Sequence, residues 1–252
     1  MIMLTGFFPS VKDARELARR EFRLLVTILV IVAALWIFLV LVDAVRAGTI
    51  QQFDDAVLLV FRQPGHPEIP KGPAELVEVI RDITSLGGGT VITLVTLIVA
   101  GFLALRRNYK SLVLLVVASL GGGLIDTVIK DVVGRGRPTI VPHLMEVHSL
   151  SFPSGHSMMS MVVYVILAVL VTPQLPDRRT RVYVVAVALF LTLMIGISRV
   201  YLGVHYPSDV LGGWFMGLAW ATLCWLAAWY VERRRTARLS TVEDQHKEKE
   251  NT

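Results

Sequence analysis

Three short stretches of this 252-residue chain hold side chains suited to chemistry on an anion. Residues 126–138 read DTVIKDVVGRGRP, residues 151–160 read SFPSGHSMMS, and residues 198–209 read SRVYLGVHYPSD. Lys130 brings an ammonium group and Arg137 and Arg199 bring planar guanidinium donors; three cations gathered at one place require an anion, and phosphate fits. Pro153 at the first turn of a helix would pre-set that turn and lacks the amide proton that would go unpaired there. The backbone N–H groups of Ser154, Gly155 and His156 would then point outward, as at helix ends that hold anions, and Gly155 would let a ligand approach the backbone closely.

His205 and Asp209 stand four residues apart, with Pro207 marking a helix start in which an early carboxylate is favoured by the dipole. An aspartate that accepts one imidazole N–H fixes the tautomer and leaves the other nitrogen free as a base or nucleophile. Taken singly, each feature has a plainer account: Pro-Ser-Gly-His as an ordinary helix start, Lys130 or Arg199 as a snorkelling anchor, Asp209 as a cap beside a satisfied histidine. Taken together, they supply what phosphoester cleavage needs. His205 is the nucleophilic nitrogen, Asp209 its orienter, and His156 the acid for the leaving oxygen, with three cations for the phosphoryl oxygens. No metal or other cofactor is expected, because no carboxylate cluster competes to bind one. His143, Glu146 and His148 in the 139–152 loop fit no strong ligand spacing and read as solvated loop residues.

Such residues act together only if distant segments bring them to one place. The chain is 54% hydrophobic with a mean hydropathy of +0.62, and its apolar residues fall in blocks at 24–42, 85–105, 111–130, 157–173, 182–198 and roughly 208–231. A hydrocarbon core of about 30 Å takes about 20 helical residues, and a segment in lipid must satisfy its backbone hydrogen bonds internally. The expected fold class is therefore all-α: a polytopic membrane protein with six transmembrane helices in one bundle. The first block is too long and too poorly flanked to be a cleaved signal peptide.

Basic residues at 12–23, 106–110, 177–181 and 232–238 fill the even gaps, which places both termini in the cytoplasm. The ends of spans three and five and the starts of spans four and six then share the outer face, and the three stretches meet there. One domain is expected over 1–238, followed by a polar, disordered cytoplasmic tail at 239–252. In the gap 43–84, FDDAVLLVFR and PAELVEVIRDIT flank a Pro/Gly-rich turn and read as amphipathic helices lying at the interface. The repeated SLGGG at 85–89 and 119–123 reads as close helix packing. The net charge of +5 suits basic rims against anionic lipid, and no aromatic-basic interleaving points to nucleic acid. A lone Cys224 offers no disulfide framework.

KDVVGRGRP (130–138), PSGH (153–156) and SRVYLGVHYPSD (198–209) resemble the three-part signature of the type 2 phosphatidic acid phosphatase superfamily, over a core of about 85–225. That family spans lipid phosphatases, glucose-6-phosphatase and vanadium haloperoxidases. The resemblance implies a metal-independent phosphatase with a covalent phosphohistidine: His205 as nucleophile, Asp209 as its partner, His156 as general acid, and Lys130, Arg137, Arg199, Ser154 and Gly155 binding the phosphate. Six spans with an outward site resemble the bacterial branch of the inner (plasma) membrane, with its site on the periplasmic side. Its members act on undecaprenyl pyrophosphate, phosphatidylglycerol phosphate, phosphatidate or lipid A, so the expected partners are a lipid phosphate and membrane lipids. A competing class is a transporter or binding protein for a phosphorylated anion; against it, the charges gather at one face and not at mid-membrane between broken helices. A haloperoxidase holding vanadate fits poorly with so lipidic a chain.

Overall fold

A computed structural model describes residues 11–250, with side chains described for 21–22 and 24–235. Among the described residues the helices are α1 (Val11–Arg46), α2 (Gln51–Val60), α3 (Ala74–Ser85), α4 (Gly89–Leu105), α5 (Tyr109–Val133), α6 (Gly155–Val171), α7 (Arg178–Tyr201) and α8 (Pro207–Glu250). A two-stranded antiparallel hairpin, β1 (Arg62–Gln63) and β2 (His66–Pro70), fills the Pro/Gly-rich turn between α2 and α3.

Among the described residues five helical segments are long and apolar enough to cross a membrane, and the bent pair of α3 and α4 makes a sixth when counted as one broken span. In α1, Ile31, Ala34, Phe38 and Leu41 are buried, whereas Leu25, Leu29, Val32, Trp36 and Leu39 are exposed. A helix apolar all round with one face uncovered is suited to lipid on that face. The block expected to form a helix from residue 85 instead breaks: α3 stops at Ser85, α4 starts at Gly89, and the two meet at 41°. Three consecutive glycines disfavour helix here, and the amides of Leu86, Gly87 and Gly88 close tighter turns onto Ile83, Thr84 and Ser85.

α6 is the centre of the bundle and packs against α4, α5, α7 and α8. Leu115 and Ala118 of α5, Val162 and Ile166 of α6, and Ala221 and Cys224 of α8 form one buried cluster. Between helices in lipid, close packing and buried polar contacts supply the cohesion, since tails are as apolar as the side chains. The indole of Trp220 adds such a contact, donating to the Ala118 carbonyl at 2.9 Å.

Both flanks of the 43–84 gap are helical as expected, but α2 does more than lie at an interface: it buries Asp54 and Leu58. α8 runs on through Glu250, where a disordered tail is expected over 239–252. The Glu, Lys and Gln of that segment are good helix formers extending a helix already nucleated; its side chains, and residues 251–252, lie outside the described residues. The ends of α5 and α7 and the starts of α6 and α8 meet, as the gap pattern requires. Backbone bonds tie them: Ser151 donates to Arg135, Leu144 to Leu202, and Ser154 to Asp209.

Candidate active site

α5 ends at Gly134, which takes the left-handed conformation (φ 66°) and donates its N–H to the Lys130 carbonyl. This stop keeps Lys130 on the last helical turn, where its ammonium reaches Asp126 at 2.5 Å and the Pro153 carbonyl at 2.8 Å. Gly155 at the start of α6 faces this pair, and a Cβ there would lie 2.9 Å from Asp126 Oδ2. A larger residue there would push the Asp126 carboxylate away from its place beside Lys130. Gly203, with φ 71°, turns the chain between α7 and α8; a Cβ there would meet Arg62 Nη2 at 2.7 Å and the Pro142 carbonyl at 2.9 Å. That turn sets His205 two residues later.

Lys130, Arg137, Gly155, His156, Arg199 and His205 line one cavity of about 190 Å³, shared with Asp126, Glu146 and His148. Three cations and the imidazoles of His156 and His205 thus converge from α5, the segment after it, α6, α7 and the α7–α8 turn. Arg199 is 1% exposed and among the described residues its hydrogen-bond partners are neutral, Thr84 Oγ1 at 3.3 Å and Met145 Sδ at 3.0 Å, while its Nε has none. Arg137 donates to the carbonyls of Ser149 (2.7 Å) and Val204 (2.6 Å), to the Ser149 hydroxyl (3.1 Å), and to His205 Nε2 (3.2 Å).

The last contact assigns the tautomer. A guanidinium can only donate, so Nε2 carries the lone pair and the proton of neutral His205 sits on Nδ1. Nδ1 lies 3.5 Å from Asp209 Oδ2 and 3.5 Å from Ser151 Oγ, longer than a formed N–H···O bond. Asp209 Oδ2 is already held by the Ser151 hydroxyl at 2.5 Å and the Tyr206 N–H at 2.9 Å. Burial holds the His205 imidazole well below its ordinary range; Arg199, Arg137 and Lys130 push the same way, and the Ser151 backbone opposes them. His205 is therefore neutral at pH 7, the state a nucleophilic nitrogen needs.

Two expectations about the Pro-Ser-Gly-His stretch change. The residue capping α6 is Ser154, whose hydroxyl accepts the Ser157 N–H at 3.4 Å, so Pro153 stands before the cap and not in the first turn. The Ser154 N–H is taken by the Asp209 carbonyl at 2.9 Å, and Ser154 is absent from the cavity lining; it couples α6 to α8 behind the cavity wall. In the 139–152 loop, His143 is engaged with the Pro138 carbonyl, whereas Glu146 and His148 stand at the cavity and not simply in solvent. The loop folds back because Leu144 is pinned: its N–H bonds Leu202 and its carbonyl takes Arg81.

Several residues of the site escape a motif reading. Asp126 is visible as the i,i+4 partner of Lys130. Ser151, Ser208, Arg135 and Asp54 form a second layer around Asp209. Asp54, fully buried, lies 154 residues from Ser208, whose N–H and hydroxyl it accepts at 2.9 and 2.5 Å. Nothing local marks it out, since with Gln51 and Asp55 it falls on the polar side of α2.

A family model described as the PAP2 superfamily matches residues 111–233. Phosphatidylglycerophosphatase B of Bacillus subtilis is 36% identical over 188 residues, covering 72% of this chain and 86% of that protein. A lipid A 1-phosphatase of Rhizobium etli is 29% identical over 187 residues, covering 63% of this chain and 75% of that protein. Among solved structures, the transmembrane PAP2-type phosphatidylglycerolphosphate phosphatase of Bacillus subtilis superposes with a TM-score of 0.67 at 34% identity, over 77% of this chain and 93% of that one. Aquifex aeolicus LpxE, at 24% identity and a TM-score of 0.50, covers 61% of this chain and 87% of that one and shares the fold. With the spans, the signature residues and these relatives in agreement, the chain belongs to the PAP2 superfamily and is a membrane lipid phosphatase.

Proposed function

We propose that this membrane phosphatase removes the phosphate of a lipid phosphomonoester, phosphatidylglycerol phosphate first among the candidates, through a phosphohistidine on His205. The observation that carries this reading is that His205 Nε2, with its lone pair, lines the same cavity as His156 and the three cations. Nε2 attacks phosphorus, the bond from phosphorus to the lipid oxygen breaks, and His156 hands that oxygen a proton. Water, deprotonated by His156, then cleaves the phosphohistidine and releases inorganic phosphate. Lys130, Arg137 and Arg199 stabilise the equatorial phosphoryl oxygens, with Gly155 leaving room for them. Asp209 orients His205, and Ser154 supports the phosphate site through the α6 cap.

Substrate choice follows from size and charge. A cavity of about 190 Å³ holds a headgroup and leaves the acyl chains outside. Asp126 pairs with Lys130 and Glu146 adds a second carboxylate to the cavity lining, which suits one phosphate better than a pyrophosphate. Phosphatidylglycerol phosphate leads because a relative at 36% identity is named a phosphatidylglycerophosphatase; phosphatidate, lipid A and undecaprenyl pyrophosphate complete the panel. The Lys/Arg pattern supports a site on the periplasmic face of the inner membrane, with both termini in the cytoplasm.

The test is phosphate release by the purified protein in mixed micelles across that panel, with rapid acid-free quenching to trap labelled enzyme. His205→Asn is expected to lose turnover by about 10⁵-fold or more, the scale for losing a covalent nucleophile, and to take up no label. Full turnover by that variant would remove the assignment. Phosphate binding without turnover by the wild type would favour the transport reading instead.

A further inference from the structure

Behind the cavity lies a buried polar layer that the signature motif does not include. Arg135 directs one guanidinium nitrogen to Asp209 Oδ1 and the Ser208 hydroxyl, both at 2.7 Å. Its other nitrogen reaches Asp54 Oδ2 at 2.7 Å and Gln51 Oε1 at 3.1 Å. The guanidinium carbon stands 4.1 Å over the Tyr206 ring. Asp54 in turn accepts the N–H of Ser208, the second residue of α8, so a carboxylate from α2 caps the helix that carries Asp209. Asp209 supplies the reciprocal bond, accepting the N–H of Tyr206, the residue before that helix.

The consequence for Asp209 is geometric. With Oδ1 tied to Arg135, only Oδ2 is left to face Ser151, Tyr206 and the Nδ1 of His205. The planar fork of arginine fixes two partners at once, which a lysine cannot do. We propose that Asp54 and Arg135 are a positioning pair for the reaction: α2 sets the plane of the Asp209 carboxylate and through it the ring of His205. This rests on His205 being the nucleophile. Neither Asp54 nor Arg135 lines the cavity, so both act through Asp209 and not on substrate.

The experiment compares Asp54→Asn and Asp54→Ala with the wild type for kcat, KM and competitive inhibition by inorganic phosphate, which reads the cavity cations independently of turnover. A catalytic geometry displaced by about 1 Å costs about 10²-fold, so Asp54→Ala is expected to lose kcat on that scale, with KM and phosphate inhibition changed less than about three-fold. Asp54→Asn keeps an oxygen for Ser208 and for Arg135, and is expected to recover part of the loss. A kcat within about three-fold of wild type in Asp54→Ala would overturn the inference. So would joint loss of kcat, phosphate inhibition and the melting transition in both variants, which would make Asp54 a residue of the fold alone. His205→Asn separates the two readings: if it retains turnover, the nucleophile assignment fails; if it is inactive while Asp54→Ala keeps full kcat, the positioning pair fails.

Discussion

Arg135 and Arg137 are two residues apart and live in opposite surroundings. Arg135 is enclosed by carboxylates, Asp54 and Asp209, and although burial opposes its charge, those two partners hold its pKa above the ordinary value. Arg137 meets carbonyls, a hydroxyl and an imidazole; burial, its largest influence, lowers its pKa despite the pull of Asp209. The difference separates a cation whose charge is spent within the protein from one whose charge is left for a ligand. Arg199, with a hydroxyl and a thioether as partners, falls on the same side as Arg137.

Removing Arg135 should therefore show first in the fold. Arg135→Gln leaves Asp54 and Asp209 buried without their cation, and breaking such a pair costs about 3–5 kcal/mol; a large drop in melting temperature in detergent is expected, along with lost activity. Arg137→Gln should do the reverse. Its melting temperature should stay near wild type while kcat falls by about 10²–10³-fold, the scale for losing one donor to a transition-state oxyanion. Two variants with equal melting losses would erase the distinction.

A smaller effect appears in pH dependence. The folded imidazole of His205 binds a proton less readily than the unfolded one, whose ordinary value is 6.5. Its contribution to stability is therefore complete above about pH 6.5 and declines as pH falls below that. In the free enzyme the same depression keeps Nε2 available into the acid range. Arg137→Gln removes one of the cations responsible, so the acid limb of residual kcat/KM should move to higher pH; an unmoved limb would show that Arg137 does not contribute and leave the effect to burial, Arg199 and Lys130.

The smallest effect belongs to Glu146, exposed at the cavity mouth. Charge interactions at an exposed site are worth at most about 1 kcal/mol, and removing this carboxylate removes its repulsion of a second phosphate, so Glu146→Gln should raise kcat/KM for a lipid pyrophosphate relative to a monophosphate by about two- to five-fold. An unchanged ratio would leave the preference to the cations.

The sequence reaches this arrangement unevenly. Apolar blocks and basic gaps place four segment ends on one face, and that brings Lys130, Arg137, His156, Arg199 and His205 to one level, because spans that cross the same bilayer end at the same surface. Arg137 is picked out by the signature, but the role of Arg135 is not legible, since its carboxylate partners Asp209 and Asp54 lie 74 and 81 residues away in the chain. Asp54 is hidden for a different reason: on α2 it looks like the polar side of an interfacial helix, and only the folded start of α8 supplies the N–H and hydroxyl that bury it. The Ser154 amide is similar, for no local pattern announces that the Asp209 carbonyl arrives opposite it.

The modest cavity also governs how such an enzyme meets its substrate. If about 190 Å³ admits the headgroup while the acyl chains stay among the helices and lipids, the quantity that saturates the site is a surface mole fraction and not a bulk molarity. Diluting the substrate with inert lipid at constant total concentration should slow the enzyme, while adding more vesicles of fixed composition should not. Collision is then two-dimensional, and inorganic phosphate, the one product with no anchor, leaves the plane.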